Sequence, residues 1–252
     1  MGQLTTFRNS GARIYKQATT SDWENDVQGA STGTFISNLN PTGAGTNVLS
    51  SGMGAAYTSG RGGATVGSIS RTFYEFVVPS EAVGLITGIT LRIVPYVYSL
   101  GEVVVAKSTA VPFNNTYDVG HFGSYQDTAY SGVIPAATTV GQWPTTSGTT
   151  NTFDITLNSN AISDANDNNG VLKIVFMNYT YDFEVSEPSL GTNVYNGLRM
   201  INGTDDTYGS RERLIVDYGY GNIVAGVAGA NIAKIIDVDT ADIDKVTGVS
   251  YT

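Results

Sequence analysis

The residues able to do chemistry are few and widely spaced. The single histidine, His121, sits in Asp118-Val119-Gly120-His121-Phe122-Gly123. A base oriented by a carboxylate is half of a nucleophilic site, and Asp118 lies close enough in sequence to be considered. No nucleophile-elbow sequence accompanies the pair, so a loop histidine is the simpler reading. Asp164-Ala165-Asn166-Asp167-Asn168-Asn169-Gly170 sets Asp164, Asn166 and Asn168 at alternate positions, the pattern by which hard cations such as Ca2+ collect oxygen ligands. The acidic ligand that ends a calcium loop is replaced by Val175, and the glycine falls one place late. A turn before a strand explains the segment equally well, and no cofactor is expected. Glu75, Glu184 and Glu187 could supply a carboxylate pair for glycoside hydrolysis, but nothing in their spacing pairs them. Trp143, Tyr125 and Tyr130 could stack on sugar rings, as aromatic faces do. Their other reading is plain packing. With one histidine, no cysteine and no catalytic motif, an enzyme is not expected.

The composition sets what must position these groups. In 252 residues, 41% are hydrophobic and only 14% charged, with 30 glycines and 15 tyrosines. That profile fits many short strands joined by tight turns. Thirteen basic residues against 22 acidic ones give a net charge of −9, the wrong sign for a nucleic-acid surface. No apolar run is long enough for a membrane helix, so no membrane partner is expected. The chain opens without a basic segment followed by an apolar one, so a secretion signal is not expected either. Asn114, Asn178 and Asn202 head N-x-T sequons, which without such a signal are read as chance.

Strand signals are strongest in the middle of the chain. Thr72–Val78 is rich in aromatic and β-branched residues and is stopped by Pro79. Ile89, Leu91 and Ile93 alternate with Thr90, Arg92 and Val94, the period of a half-buried strand. Glu102–Ala106, Phe153–Leu157, Val171–Met177, Leu198–Ile201 and Arg213–Tyr218 read as further strands, with a shorter one at Thr34–Ile36. Asn160–Ala165 fits one helical turn, and Asn169-Gly170 marks a tight turn. These elements predict an all-β fold: one jelly-roll-type β-sandwich of two antiparallel sheets over residues 31–220. Residues 1–30 read as an N-terminal arm with a short strand near Ile14. Residues 221–252 read as a tail, because aromatics nearly vanish there and Ile232-Ala233-Lys234-Ile235 recurs as Ile243-Asp244-Lys245-Val246. Ile232, Ile235, Val238, Ile243, Val246 and Val249 are the positions expected to dock against a partner.

Two resemblances follow from these segments. Arg71-Thr72-Phe73-Tyr74-Glu75-Phe76-Val77-Val78-Pro79 with Ile86-Thr87-Gly88-Ile89-Thr90-Leu91 resembles a signature of the DNRLRE and disaggregatase-related jelly rolls, which are similar to family 6 carbohydrate-binding modules. Thr34–Gly43, Asp118–Gly123, Asn169-Gly170 and Arg211–Tyr218 fit the same family in order, although the proline of its last strand is missing here. The tail is similar to the A-N-I-A-K-V-x-G-V repeats that end virion proteins of tailed bacteriophages. Together the resemblances imply a structural virion protein: a tail, fibre, baseplate or capsid-decoration component, assembled in the host cytoplasm. Other virion proteins, further copies of itself and a host surface glycan are the implied partners. The alternative is a stand-alone carbohydrate-binding module of a polysaccharide-acting system.

Overall fold

Alternating strands and unbroken apolar strands belong to different layers of this molecule, because one layer is covered on one face and the other on both. The computed structural model describes residues 2–38, 50–52, 54–59, 63–93, 95–97, 102–110, 117–134, 152–193, 199–201, 212–219, 234–235 and 238–239. In chain order, β1 spans Gly2–Thr19, β2 Phe35–Asn38, β3 Ser50–Gly52, β4 Gly54–Ser59, β5 Thr65–Val77 and β6 Ile86–Ile93. Next come β7 Pro95–Val97, β8 Val103–Ser108, β9 Tyr125–Ala129, β10 Phe153–Leu157 and β11 Val171–Asn178. β12 spans Thr192–Asn193, β13 Arg199–Ile201, β14 Arg213–Tyr218, β15 Lys234–Ile235 and β16 Val238–Asp239. One α-helix, α1, covers Ser159–Asp167, and short helical turns lie at Glu24–Gln28, Val119–His121 and Tyr179–Phe183. The fold is all-β, as the composition and strand signals require.

The main antiparallel sheet runs β10-β6-β14-β1-β5-β11-β8-β9. Its first half, β10-β6-β14-β1, faces its second half, β5-β11-β8-β9, across a shared core. Ile89, Leu91, Ile155, Leu157, Leu214 and Val216 of the first half meet Tyr74, Phe76, Leu172, Ile174 and Phe176 of the second. β5, β6 and β8 alternate between the halves, as do β9, β10, β11 and β14, while the consecutive strands β8 and β9 are neighbours in the second half. Two separate sheets were expected; instead the hydrogen bonding is continuous through β1. The first residues of β1, Gly2 to Phe7, pair with β14, and those from Arg8 onward pair with β5. A register shift between Arg8 and Ser10 marks the corner. A bulge bends a strand and raises its twist, so one strand can serve both layers.

The corner is fastened by buried polar contacts. Arg8 Nη1 donates to Glu212 Oε2 at 2.8 Å, and Tyr74 Oη donates to Glu212 Oε1 at 3.1 Å. The Arg8 guanidinium lies 5.1 Å from the centre of the Tyr74 ring. These contacts correct the reading of residues 1–30 as an arm. β1 is central, and it lacks an apolar signature because its partner supplies the bulk. At Gly11 a Cβ would lie 2.6 Å from the Tyr74 ring, so a larger residue has no room.

The second half of the sheet carries another core on its far face. Phe73, Val104, Ala106, Val175 and Met177 point there, opposite to Tyr74 and Phe76. Trp23, Val27, Tyr117 and Phe122 cover them. Burial on both faces explains the unbroken apolar runs in β8 and β11, while β6, covered on one face, alternates. Among the described residues no helix is long and apolar enough to cross a membrane.

Candidate functional site

Arg71 lies in β5 among apolar neighbours and is fully buried. A buried cation must be paired and hydrogen-bonded, and its bonds trace the site. Nε and Nη2 both reach the Asp182 carboxylate, at 3.0 and 2.6 Å. Nη1 donates to the Phe122 carbonyl at 2.8 Å and Nη2 to the Gln28 carbonyl at 2.7 Å. The guanidinium lies 4.0 Å from the Phe122 ring centre and 4.4 Å from that of Tyr125. One side chain therefore joins three surface segments: Glu24–Gln28, the Val119–His121 turn with its following loop, and Tyr179–Phe183. Above this junction is an open depression of about 450 Å3, lined by Ser31, Gly120, Gly123, Tyr125, Gln126 and Asp127. Tyr125 is held by its contact with Arg71 and by Gln28 Nε2, which donates to its hydroxyl at 3.0 Å. Burial raises the Tyr125 phenol above its ordinary pKa. Of the expected stacking residues, Tyr125 is the one placed on an open surface, half-buried and fixed. Arg71, Asp182 and Gln28 were not read as site residues. An arginine inside an apolar strand was the available signal.

A cleft of about 410 Å3 lies at the far end of the second half-sheet, between α1, β8 and β11. Lys107, Asp164, Asp167, Asn168, Asn169 and Lys173 line it. Here the weak Ca2+ candidates Asp164, Asn166 and Asn168 point to different places. Asp164 and Asn166 lie on a helix, where residues two apart point to nearly opposite sides. Asp164 accepts from Lys107 Nζ at 2.8 Å and from the Tyr130 hydroxyl. Asn166 faces the other way, accepting from the Gly84 and Ile86 amides at 2.8 and 3.2 Å. Asn168 caps the helix C-terminus, its amide bonded to the Asp164 carbonyl. The oxygens do not converge, and Asp164 already carries an ammonium partner. Tyr130 also lines this cleft, but it is 1% exposed and its ring packs in the central core.

His121 and Asp118 form a capping box at the Val119–His121 turn. His121 Nδ1 accepts from the Asp118 amide at 3.0 Å, and Asp118 Oδ1 accepts from the Gly120 amide at 2.7 Å. The imidazole also meets the Tyr117 ring edge-on at 5.6 Å. Glu75 is fully buried and accepts from Asn9 Nδ2 at 2.9 Å, whereas Glu184 and Glu187 are exposed. Trp143, Ile232, Ile243, Val246 and Val249 lie outside the described residues. Ile235 and Val238 pair with each other across β15 and β16. Among the described residues no group of three or more His, Cys, Asp or Glu side chains is placed to hold a metal ion. No protein-family model matches the chain, and no curated protein matches it in sequence.

Proposed function

We propose that this chain is a structural protein of a tailed-bacteriophage virion, a tail, fibre, baseplate or capsid-decoration component that displays a carbohydrate-binding-like jelly roll. The observation that supports the reading is an apolar repeat that follows the last strand of the main sheet in sequence. β14 lies between β1 and β6 and ends at Tyr218. The repeat of Ile232, Ile235, Val238, Ile243, Val246 and Val249 follows that strand in sequence, and the proposal assigns residues 221–252 to docking on other virion proteins. The sandwich is fastened by buried ion pairs, Arg8–Glu212 and Arg71–Asp182, in a chain without cysteine. Such a protein assembles in a reducing cytoplasm and works outside it unchanged. Mass spectrometry of purified particles tests the reading: the chain is expected as a stoichiometric component, and its absence sinks the idea.

The fixed ring of Tyr125 favours a second reading, a stand-alone carbohydrate-binding module. Aromatic platforms flanked by carboxylate and amide groups suit sugar rings, and Asp127 and Gln126 stand beside this one. A glycan array with the wild type and Tyr125→Ala discriminates. Binding lost in the variant supports a sugar site, and no binding by the wild type at high concentration removes it.

A further inference from the structure

The surface around Tyr125 carries one sign of charge. The three segments that Arg71 joins belong to residues 20–33, 117–134 and 178–190, which contain no lysine and no arginine. Glu24, Asp118, Asp127 and Glu184 are exposed on them. Arg71 itself lends no charge to the surface: it is fully buried, and its Nε and Nη2 are held by the Asp182 carboxylate. His121 uses Nδ1 as an acceptor for the Asp118 amide. Among the described residues that line the depression, Asp127 is the charged one. It is exposed, and its carboxylate lies close enough to the Tyr125 phenol to add to the upward push that burial gives that group. Ring and carboxylate are therefore within reach of a single ligand, with Gln126 and Ser31 as neutral hydrogen-bonding neighbours.

We propose that this depression takes a cationic amino sugar, a glucosamine-type ring whose ammonium group pairs with Asp127 while the ring lies against Tyr125. The inference rests on the sugar-binding reading of Tyr125 and narrows it to one ligand class. Charge makes the selection. A hollow lined by a carboxylate, in a chain of net charge −9, attracts a cation and repels uronic and other acidic sugars. A neutral sugar gains the ring contact and ordinary hydrogen bonds. An ammonium in the same place adds a charge-assisted hydrogen bond, which is about twice as strong as a neutral one. The electron-rich face of a phenol ring attracts the same cation.

The test is calorimetric titration of the full chain with two oligomers of the same backbone, a glucosamine hexamer and an N-acetylglucosamine hexamer, in a mildly acidic buffer that keeps the amine protonated. The amine oligomer is expected to bind about tenfold more tightly, the difference between a charged and a neutral hydrogen bond. That preference is expected to shrink as salt rises, because the contact is exposed and screened. Asp127→Asn keeps the shape of an exposed side chain; it should bring the amine oligomer down to the level of the acetylated one and leave the latter unchanged. Glu81→Gln removes the same charge from an exposed turn beyond β5 and should change neither. Oligogalacturonate is expected not to bind. Equal affinities for the two oligomers overturn the inference, as does a preference that survives Asp127→Asn or one that Glu81→Gln removes equally. In each of these cases the sugar reading still stands so long as Tyr125→Ala abolishes binding. A wild type that binds neither oligomer ends the inference, and one that also binds nothing on the glycan array ends the sugar reading with it.

Discussion

At the scale of single residues, stability depends on polar groups that have left water and found fixed partners. Arg71 and Asp182 are both fully buried, so removing either strands the other. Arg71→Met is expected to cost about 3–5 kcal/mol in denaturant unfolding, the usual penalty for breaking a buried pair. The double replacement Arg71→Met with Asp182→Leu is expected to cost less than Arg71→Met alone, since no charge is left behind. Buried phenols set the alkaline limit. Burial holds the Tyr117 and Tyr130 phenols above the ordinary value of 10.0, and the carboxylate of Asp164 adds to the effect at Tyr130. A folded-state pKa above the unfolded one gives stability that is complete below pH 10 and lost as pH rises beyond it. Each phenol should therefore remove about 1.4 kcal/mol of stability per pH unit above 10 until it ionises. Phenolate absorbance during alkaline titration checks this: Tyr117 and Tyr130 should ionise with unfolding, after the exposed tyrosines.

At the scale of elements, α1 and the turn after it show local sequence and packing acting together. Asn158 caps the helix by accepting from the Asn160 and Ala161 amides, and Ala161 and Ala165 form its buried side. The turn after the helix holds Asn169, with φ 54°, and Gly170, with φ 82°. Asparagine tolerates this left-handed region and glycine adopts it freely. A Cβ on Gly170 would also lie 2.5 Å from the Val78 carbonyl oxygen. Gly170→Ala is expected to lower stability by more than about 1 kcal/mol through strain and that clash, measured by thermal or urea unfolding. The Asn169-Gly170 turn was legible because its requirement is local. β1 was not legible beyond Ile14 and Tyr15. Its small residues are required by aromatic rings from β5, and no window along β1 contains those rings.

At the scale of the whole molecule, the two chain ends are expected to behave differently. β1 joins both halves of the sheet, so deletion of residues 1–30 should abolish cooperative folding. β14 is the last strand of the main sheet, so, on the proposed function, deletion of residues 221–252 should leave the sandwich folded while removing assembly. Circular dichroism melting of the two truncated chains separates these outcomes. A tail deletion that unfolds the protein would place the tail in the core.

The sequence by itself determined the all-β class and placed the strands that became β5, β6, β8, β10, β11 and β14. Side-chain period and unbroken apolar runs report directly which faces a strand must bury. Tertiary structure alone decided which element covers each face. It put β1 at the centre, tied Arg71 to Asp182 across 111 residues, and closed Asp164 on Lys107 and Tyr130. It also separated Tyr125, fixed beside an open depression, from Tyr130, whose ring packs in the core. The reason is physical: a local pattern fixes the polarity of a face, while partners distant in sequence are chosen by topology and by the need of every buried charge for its counterpart.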